Sequence, residues 1–322
     1  MPVFGHGGPK TGESRNRSTG GQWGQAYTFD GFGNLTAKTV TAGSGTNWSS
    51  AVDAATNRLG GQTYDANGNV QFNGTGYDVE NKMVSRTLAE TSKNMTYQCD
   101  PAGHRVSAWT SDGVNWGNDQ VSPTFYDITG KAVSYAGCGY VAGGMQCTVG
   151  VSNVYFGGRP ISLDGQTVYT DRLGTVRASW NGVTWQQHSY LPYGEERTST
   201  ADGAHKFGTY VRDSTLDGQD YAEARYYNAG PGRFSSVDPA GVRASSLGNP
   251  LTWNRYSYGN GDPANHNDRN GLLANQEDLD PQLTAEDCIN DIQFCTGTRE
   301  DCPRGSVRQQ FSGQGPWIFV EG

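Results

Sequence analysis

One short phrase recurs in the first third of the chain and limits what the chain can fold into. It reads Tyr27-Thr-Phe-Asp30-Gly-Phe-Gly33-Asn34-Leu35, then Tyr64-Asp65-Ala-Asn67-Gly68-Asn69-Val70. A diverged copy is Tyr77-Asp78-Val-Glu80-Asn81-Lys-Met-Val84, and a fourth is Tyr97-Gln-Cys99-Asp100-Pro101-Ala-Gly103-His104-Arg105-Val106. In each copy an aromatic strand end is followed by an Asp suited to cap a tight turn, and Gly supplies the left-handed backbone. An apolar residue then restarts the next strand. The Asp starts are 35, 13 and 22 residues apart, so the loops vary while the hairpin persists. A lone hairpin is marginal in water and must pair with its neighbours. The expectation is a mainly β chain of antiparallel hairpins in an extended, curling sheet.

Composition agrees. The 322 residues include 46 Gly and 13 Pro, well above the roughly 12% that average usage gives these two residues. Only 17% are charged, while 11% are aromatic. That mixture excludes a helical bundle and disfavours simple disorder. No apolar run is long enough to span a membrane as a helix. The net charge is −8, and residues 273–322 hold nine acids and three arginines, a net of −6. The body has no Lys/Arg cluster able to neutralise a row of phosphates, so nucleic-acid binding by the body is not expected. No signal peptide is visible at the start.

Further on, the motifs become more specific. They are Val168-Tyr-Thr170-Asp171-Arg-Leu173-Gly174-Thr175, Tyr190-Leu-Pro192-Tyr193-Gly194-Glu195, Phe207-Gly208, Asp220-Tyr221, Ala224-Arg225-Tyr226-Tyr227 and Gly232-Arg233-Phe234-Ser235-Ser236-Val237-Asp238-Pro239. Asn254-Arg255-Tyr256-Ser257-Tyr258, Asp262-Pro263 and Asp268-Arg269-Asn270-Gly271-Leu272 close the series. This series resembles the core domain of the RHS (YD-repeat) proteins, relatives of the C component of Tc toxins and, more distantly, of teneurins. The resemblance spans roughly residues 25 to 272. It suggests a flexible segment 1–24, a YD-repeat region 25–165, an RHS-associated core 166–272 and a variable tail 273–322 of short mixed structure.

The resemblance implies a spiralling, shell-like sheet that encloses the chain's own C-terminal polypeptide, a toxin or effector. It also implies an aspartic-protease-like self-cleavage between Leu272 and Leu273. Asp238 and Asp268 match the family's two carboxylates. Such a pair works because like charges a few ångströms apart cannot both ionise, so one stays protonated while the other activates a water. A strand over Leu251–Tyr258 is expected to bring the two acids together, with Arg225 or Arg233 close enough to bias them. The ordinary alternative is that both Asp residues cap turns before Pro-x-Gly and Asn-Gly. The family's Pro after the second Asp is Arg269 here, which is expected to loosen the scissile loop.

The chain is too short for a complete family-sized shell, which suggests the end of a shell or a shortened relative. An upstream shell, the chain's own tail and a secretion apparatus are the expected partners, with a secreted or cell-surface location. A second reading is a carbohydrate-binding YD-repeat module presenting Tyr and Trp. A third is a non-catalytic fragment of a larger RHS protein. Leu283-Thr284-Ala-Glu-Asp287-Cys288 reads as a helix start. Cys288, Cys295 and Cys302 lack the close pairs and nearby His of a zinc site, so neither metal nor cofactor is expected. Cys138 and Cys147 bracket a Gly-rich loop that a local disulfide could close.

Overall fold

The computed structural model describes residues 11–16, 23–72, 74–88, 93–141, 143–213, 219–241, 245, 248–272, 306–309 and 318–321. The chain divides into two compact units, Met1–Gln276 and Glu277–Gly322. In the first unit β1 (Thr11–Asn16), β2 (Trp23–Phe29), β3 (Leu35–Ala42) and β4 (Trp48–Ser49) form a four-stranded antiparallel sheet. The segment read as flexible therefore contains a strand paired with β2 from Thr11↔Thr28 to Asn16↔Trp23. A small hairpin follows, β5 (Thr63–Tyr64) with β6 (Val70–Gln71).

The largest sheet has seven strands in sequence order. These are β7 (Gly76–Tyr77), β8 (Met83–Thr87), β9 (Asn94–Cys99), β10 (Arg105–Ser111), β11 (Gln120–Tyr126), β12 (Ala132–Val141) and β13 (Gly144–Ser152). A five-stranded sheet continues through β14 (Val154–Phe156), β15 (Arg159–Leu163), β16 (Gln166–Thr170), β17 (Val176–Trp180) and β18 (Trp185–Gln187). The last sheet of this unit comprises β19 (Val211–Arg212), β20 (Gln219–Ala222), β21 (Arg225–Asn228) and β22 (Arg233–Phe234). All named pairings are antiparallel, and no α-helix occurs among the described residues. The fold is thus mainly β and antiparallel, as the repeats predict. In the second unit β23 (Ser306–Gln309) pairs antiparallel with β24 (Ile318–Glu321). The expected helix start at 283–288 and Cys288, Cys295 and Cys302 lie outside the described residues.

The repeat phrase folds as its chemistry dictates. In each copy the Asp backbone N–H donates to the carbonyl four residues on, and its Oδ1 accepts the backbone N–H of that same residue. The Oδ1 contacts are 2.9 Å at Asp30–Asn34, 2.8 Å at Asp65–Asn69, 2.9 Å at Asp78–Lys82 and 2.9 Å at Asp100–His104. The third residue after the Asp needs a positive φ, met by Gly33 (74°), Gly68 (92°) and Gly103 (90°), and by Asn81 (62°) in the diverged copy. Tyr27 and Tyr97 are buried behind their turns, while half-buried Tyr64 accepts the Leu59 N–H at 2.9 Å. Two further turns share the pattern. Asp127 accepts from Lys131 N at 3.0 Å and Asp171 from Thr175 N at 3.0 Å, with Gly130 and Gly174 left-handed.

The core is aromatic, as expected of thin sheets with little continuous apolar sequence. Phe207, Tyr210, Ala222, Tyr227, Ala229, Phe234 and Tyr258 form one buried cluster. Tyr226 joins Met83, Met95 and Tyr97, and Tyr193 joins Tyr27, Phe29 and Leu35. The core segment therefore contributes to the packing of both repeat sheets. Cys138 and Cys147 face each other across β12 and β13 and are joined by a disulfide.

Candidate functional site

The expected strand over Leu251–Tyr258 is instead a 3-10 turn, Pro250–Trp253, followed by irregular chain. Asn249 caps this turn, its Oδ1 accepting the Leu251 N–H at 3.2 Å, and Pro250 stands where a helical N–H is not needed. The chain then runs beside residues 233–238. Phe234 N donates to Tyr256 O and Asp238 N to Arg255 O, each at 3.0 Å.

Asp238 and Asp268 both occupy the Asp position of an Asp-x-x-Gly turn. Ala240 N donates to Asp238 Oδ1 at 2.8 Å, and Leu272 N donates to Asp268 Oδ1 at 2.9 Å. Gly241 and Gly271 take φ of 67° and 74°. Turn capping, the ordinary alternative, is therefore present at both, but their second oxygens meet on one shared guanidinium, which those of the repeat turns do not. Arg225, the first residue of β21, places Nη2 3.1 Å from Asp238 Oδ2 and 2.9 Å from Asp268 Oδ2. Arg225, Asp238 and Asp268 are 4%, 7% and 1% exposed. Buried charge survives only when paired and hydrogen-bonded, and one guanidinium serves both acids while lying 3.6 Å over the Phe234 ring. Burial pushes the Asp238 carboxyl above its ordinary range, and the Asp268 charge adds to this. The Arg225 charge, the Ala240 N–H and the Arg255 charge pull the other way.

The loop from Asp268 to Gly271 is fixed carbonyl by carbonyl. Tyr210 Oη donates to Asp268 O, and Thr209 Oγ1 donates to Arg269 O at 3.3 Å. Ala224 N donates to Asn270 O at 3.0 Å, and Arg225 Nε donates to Gly271 O at 2.5 Å. Arg269 thus stands in a tied turn in place of the family's Pro, and the loosening expected from its identity is offset by four donors. Gly271 is required here, because a Cβ would lie 2.7 Å from Ala222 O. Leu272 is half-buried, and Leu273 lies outside the described residues.

Arg233 is not brought to the pair. Its Nη2 donates to Asn57 O at 2.7 Å and its guanidinium lies 4.6 Å over the Tyr256 ring. The residues sequence reasoning misses are Tyr210, Thr209 and Arg255, the last donating through Nη2 to Asp238 O. Nothing in their local spacing marks them. Asp127 was findable, since Tyr126-Asp127-Ile-Thr-Gly130 carries the repeat spacing in plain view.

No protein-family model matches the chain. It is 26% identical over 262 residues to the tRNA3(Ser)-specific nuclease WapA of Bacillus spizizenii, and 28% identical over 269 residues to the tRNA nuclease WapA of Bacillus subtilis. Each alignment covers 76% of this chain but only 11% of the relative. Among solved structures, TcdB2-TccC3-Cdc42 superimposes with a TM-score of 0.55 at 16% identity, covering 84% of this chain and 15% of that one. TcdB2-TccC3 without its hypervariable C-terminal region gives 0.53 at 18%, covering 82% and 15%. TccC3 is a Tc toxin C component and WapA an RHS-family protein. The motifs, these relatives and the shared fold together make this chain an RHS-related protein.

Proposed function

We propose that this RHS-family segment is the closing part of a shell that cuts its own chain between Leu272 and Leu273, freeing residues 273–322 from the wall that encloses them. The observation that carries the reading is the tied loop: four successive carbonyls are held, the Leu272 N–H rests on Asp268, and both acids meet at Arg225.

In this reading Asp268, whose two oxygens accept from Leu272 N and Arg225 Nη2, is the base. Asp238, pushed toward its protonated form by burial, is the acid. Asp268 takes a proton from a water, whose oxygen adds to the Leu272 carbonyl carbon. The bond to the Leu273 nitrogen then breaks as Asp238 gives that nitrogen its proton. A carboxyl end at Leu272 and an amine at Leu273 result. Arg225 balances the negative charge that passes between the acids.

The Cys138–Cys147 disulfide supports export to an oxidising compartment. No helix among the described residues is long and apolar enough to cross a membrane. Amino-terminal sequencing of the purified protein tests the cut. A second amino terminus beginning at Leu273 is expected, and a single terminus after prolonged incubation would contradict the reading.

A further inference from the structure

Between the β5–β6 hairpin and the sheet of β20 to β22 lies a cavity of about 360 Å³. That volume falls within the range of small-molecule sites. Its wall includes Tyr64, Gln71, Phe72, Gln219, Asn228 and Arg233. Arg233 is 7% exposed. It makes no ion pair with a described carboxylate, in contrast to Arg105, Arg177, Arg212 and Arg225, which all have one. Its Nε has no hydrogen-bond partner among the described residues. Asp30, the carboxylate whose charge it feels, is committed to its own turn through Phe32 N, Asn34 N and Asn34 Nδ2. Burial accordingly pushes the guanidinium down to about 10. A second arginine, Arg86, is 2% exposed, its Nε and Nη1 have no hydrogen-bond partner among the described residues, and it lies 5.7 Å over the Phe72 ring that helps to line the cavity.

A buried guanidinium without a carboxylate is costly unless an anion completes it. The surrounding wall is not that of a bare anion hole. Three aromatic residues and four with side-chain amides line the cavity together with Arg233, and such groups serve the flat faces and hydroxyls of a sugar ring. We propose that this cavity binds a sugar acid, its carboxylate received by Arg233 and its ring by the amides and aromatics. The site is separate from the acid pair, because Arg233 touches neither Asp238 nor Asp268.

Calorimetric titration of the full chain with D-galacturonate, D-galactose and acetate tests this. Saturable binding of galacturonate is expected, with galactose and acetate each weaker by about ten-fold or more, as the loss of a charge-assisted contact or of the ring contacts requires. Arg233→Gln should remove the preference for the acid over the neutral sugar. Because Arg233 also holds Asn57 O, Gln71→Trp, which fills the cavity from β6, provides an independent block and should abolish binding. Equal affinity for galactose and galacturonate, equal affinity for acetate, no binding of galacturonate by the parent chain, or binding that survives Gln71→Trp would each overturn the proposal.

Discussion

Asp238 and Asp268 share one nitrogen: Arg225 Nη2 stands 3.1 Å from the first and 2.9 Å from the second. Two buried carboxylates repel each other, and their closeness here is sustained by the cation between them. Arg225 also donates to Gly271 O and, through Nη1 at 3.0 Å, to Arg255 O. It is therefore both the electrostatic partner of the acids and the pin of the loop they are proposed to cut.

Replacing Arg225 by Leu should destabilise the fold by about 3–5 kcal/mol, the range found when one partner of a buried ion pair is removed. Arg225→Lys should recover only part of this, because a lysine cannot reach four acceptors in a fixed fork. Urea unfolding of the three proteins measures it. Equal midpoints would show that the shared nitrogen contributes nothing to stability.

Two glycines in matching turns should respond differently to alanine. Gly241→Ala meets open space at φ 67° and should cost only the left-handed backbone penalty of about 1–2 kcal/mol. Gly271→Ala adds a Cβ 2.7 Å from Ala222 O and 3.2 Å from Arg225 N, so it should cost more than Gly241→Ala and unseat the loop. Thermal unfolding with a search for the Leu273 terminus separates the two. Equal losses would contradict the close seating of Gly271.

Asp220, buried against Arg212, is pushed up to about 6 by burial even though Arg212 draws it down. A folded-state value above the unfolded one of about 3.9 means that folding takes up a proton between about pH 4 and 6. The contribution is therefore full at the acid end and lost as the pH rises through 6. Relative to Asp220→Asn, the parent should lose on the order of 2 kcal/mol across that window. Urea midpoints at successive pH values check the sign, and a gap that is constant or widens in the parent's favour would refute it.

The disulfide between Cys138 and Cys147 closes a loop with a separation of 9 residues, and its removal should cost about 2–3 kcal/mol. The double Ser variant and the reduced parent should show the same lowered midpoint. Since β12 and β13 do not contribute to the acid pair, the terminus at Leu273 should still form in both.

The turns could be read from sequence because their chemistry is local: an Asp, a Gly three residues on and an aromatic before them determine a hairpin regardless of what packs behind it. The acid pair is different. Asp238 and Asp268 stood out only through motif resemblance, and the group that joins them lies on β21, at a sequence distance no local pattern spans. The stretch from Leu251 to Tyr258 misleads because Thr, Trp and Tyr favour strands, while Asn249 and Pro250 set a 3-10 turn instead. Arg269 misleads in the opposite sense. Its identity suggests a loosened loop, yet the restraint comes from Tyr210, Thr209, Ala224 and Arg225. Sequence alone also could not choose between Arg225 and Arg233, which lie on adjacent strands of one hairpin.

The most direct measurement is the intact mass of the purified chain beside Asp238→Asn and Asp268→Asn, two changes that keep side-chain size and remove the titrating group. The account predicts two fragments meeting at Leu272 and Leu273 in the parent, and a single uncut mass in both variants. A single uncut mass in all three, or the same two fragments in all three, would contradict the assignment of the acid pair as a self-cleaving centre.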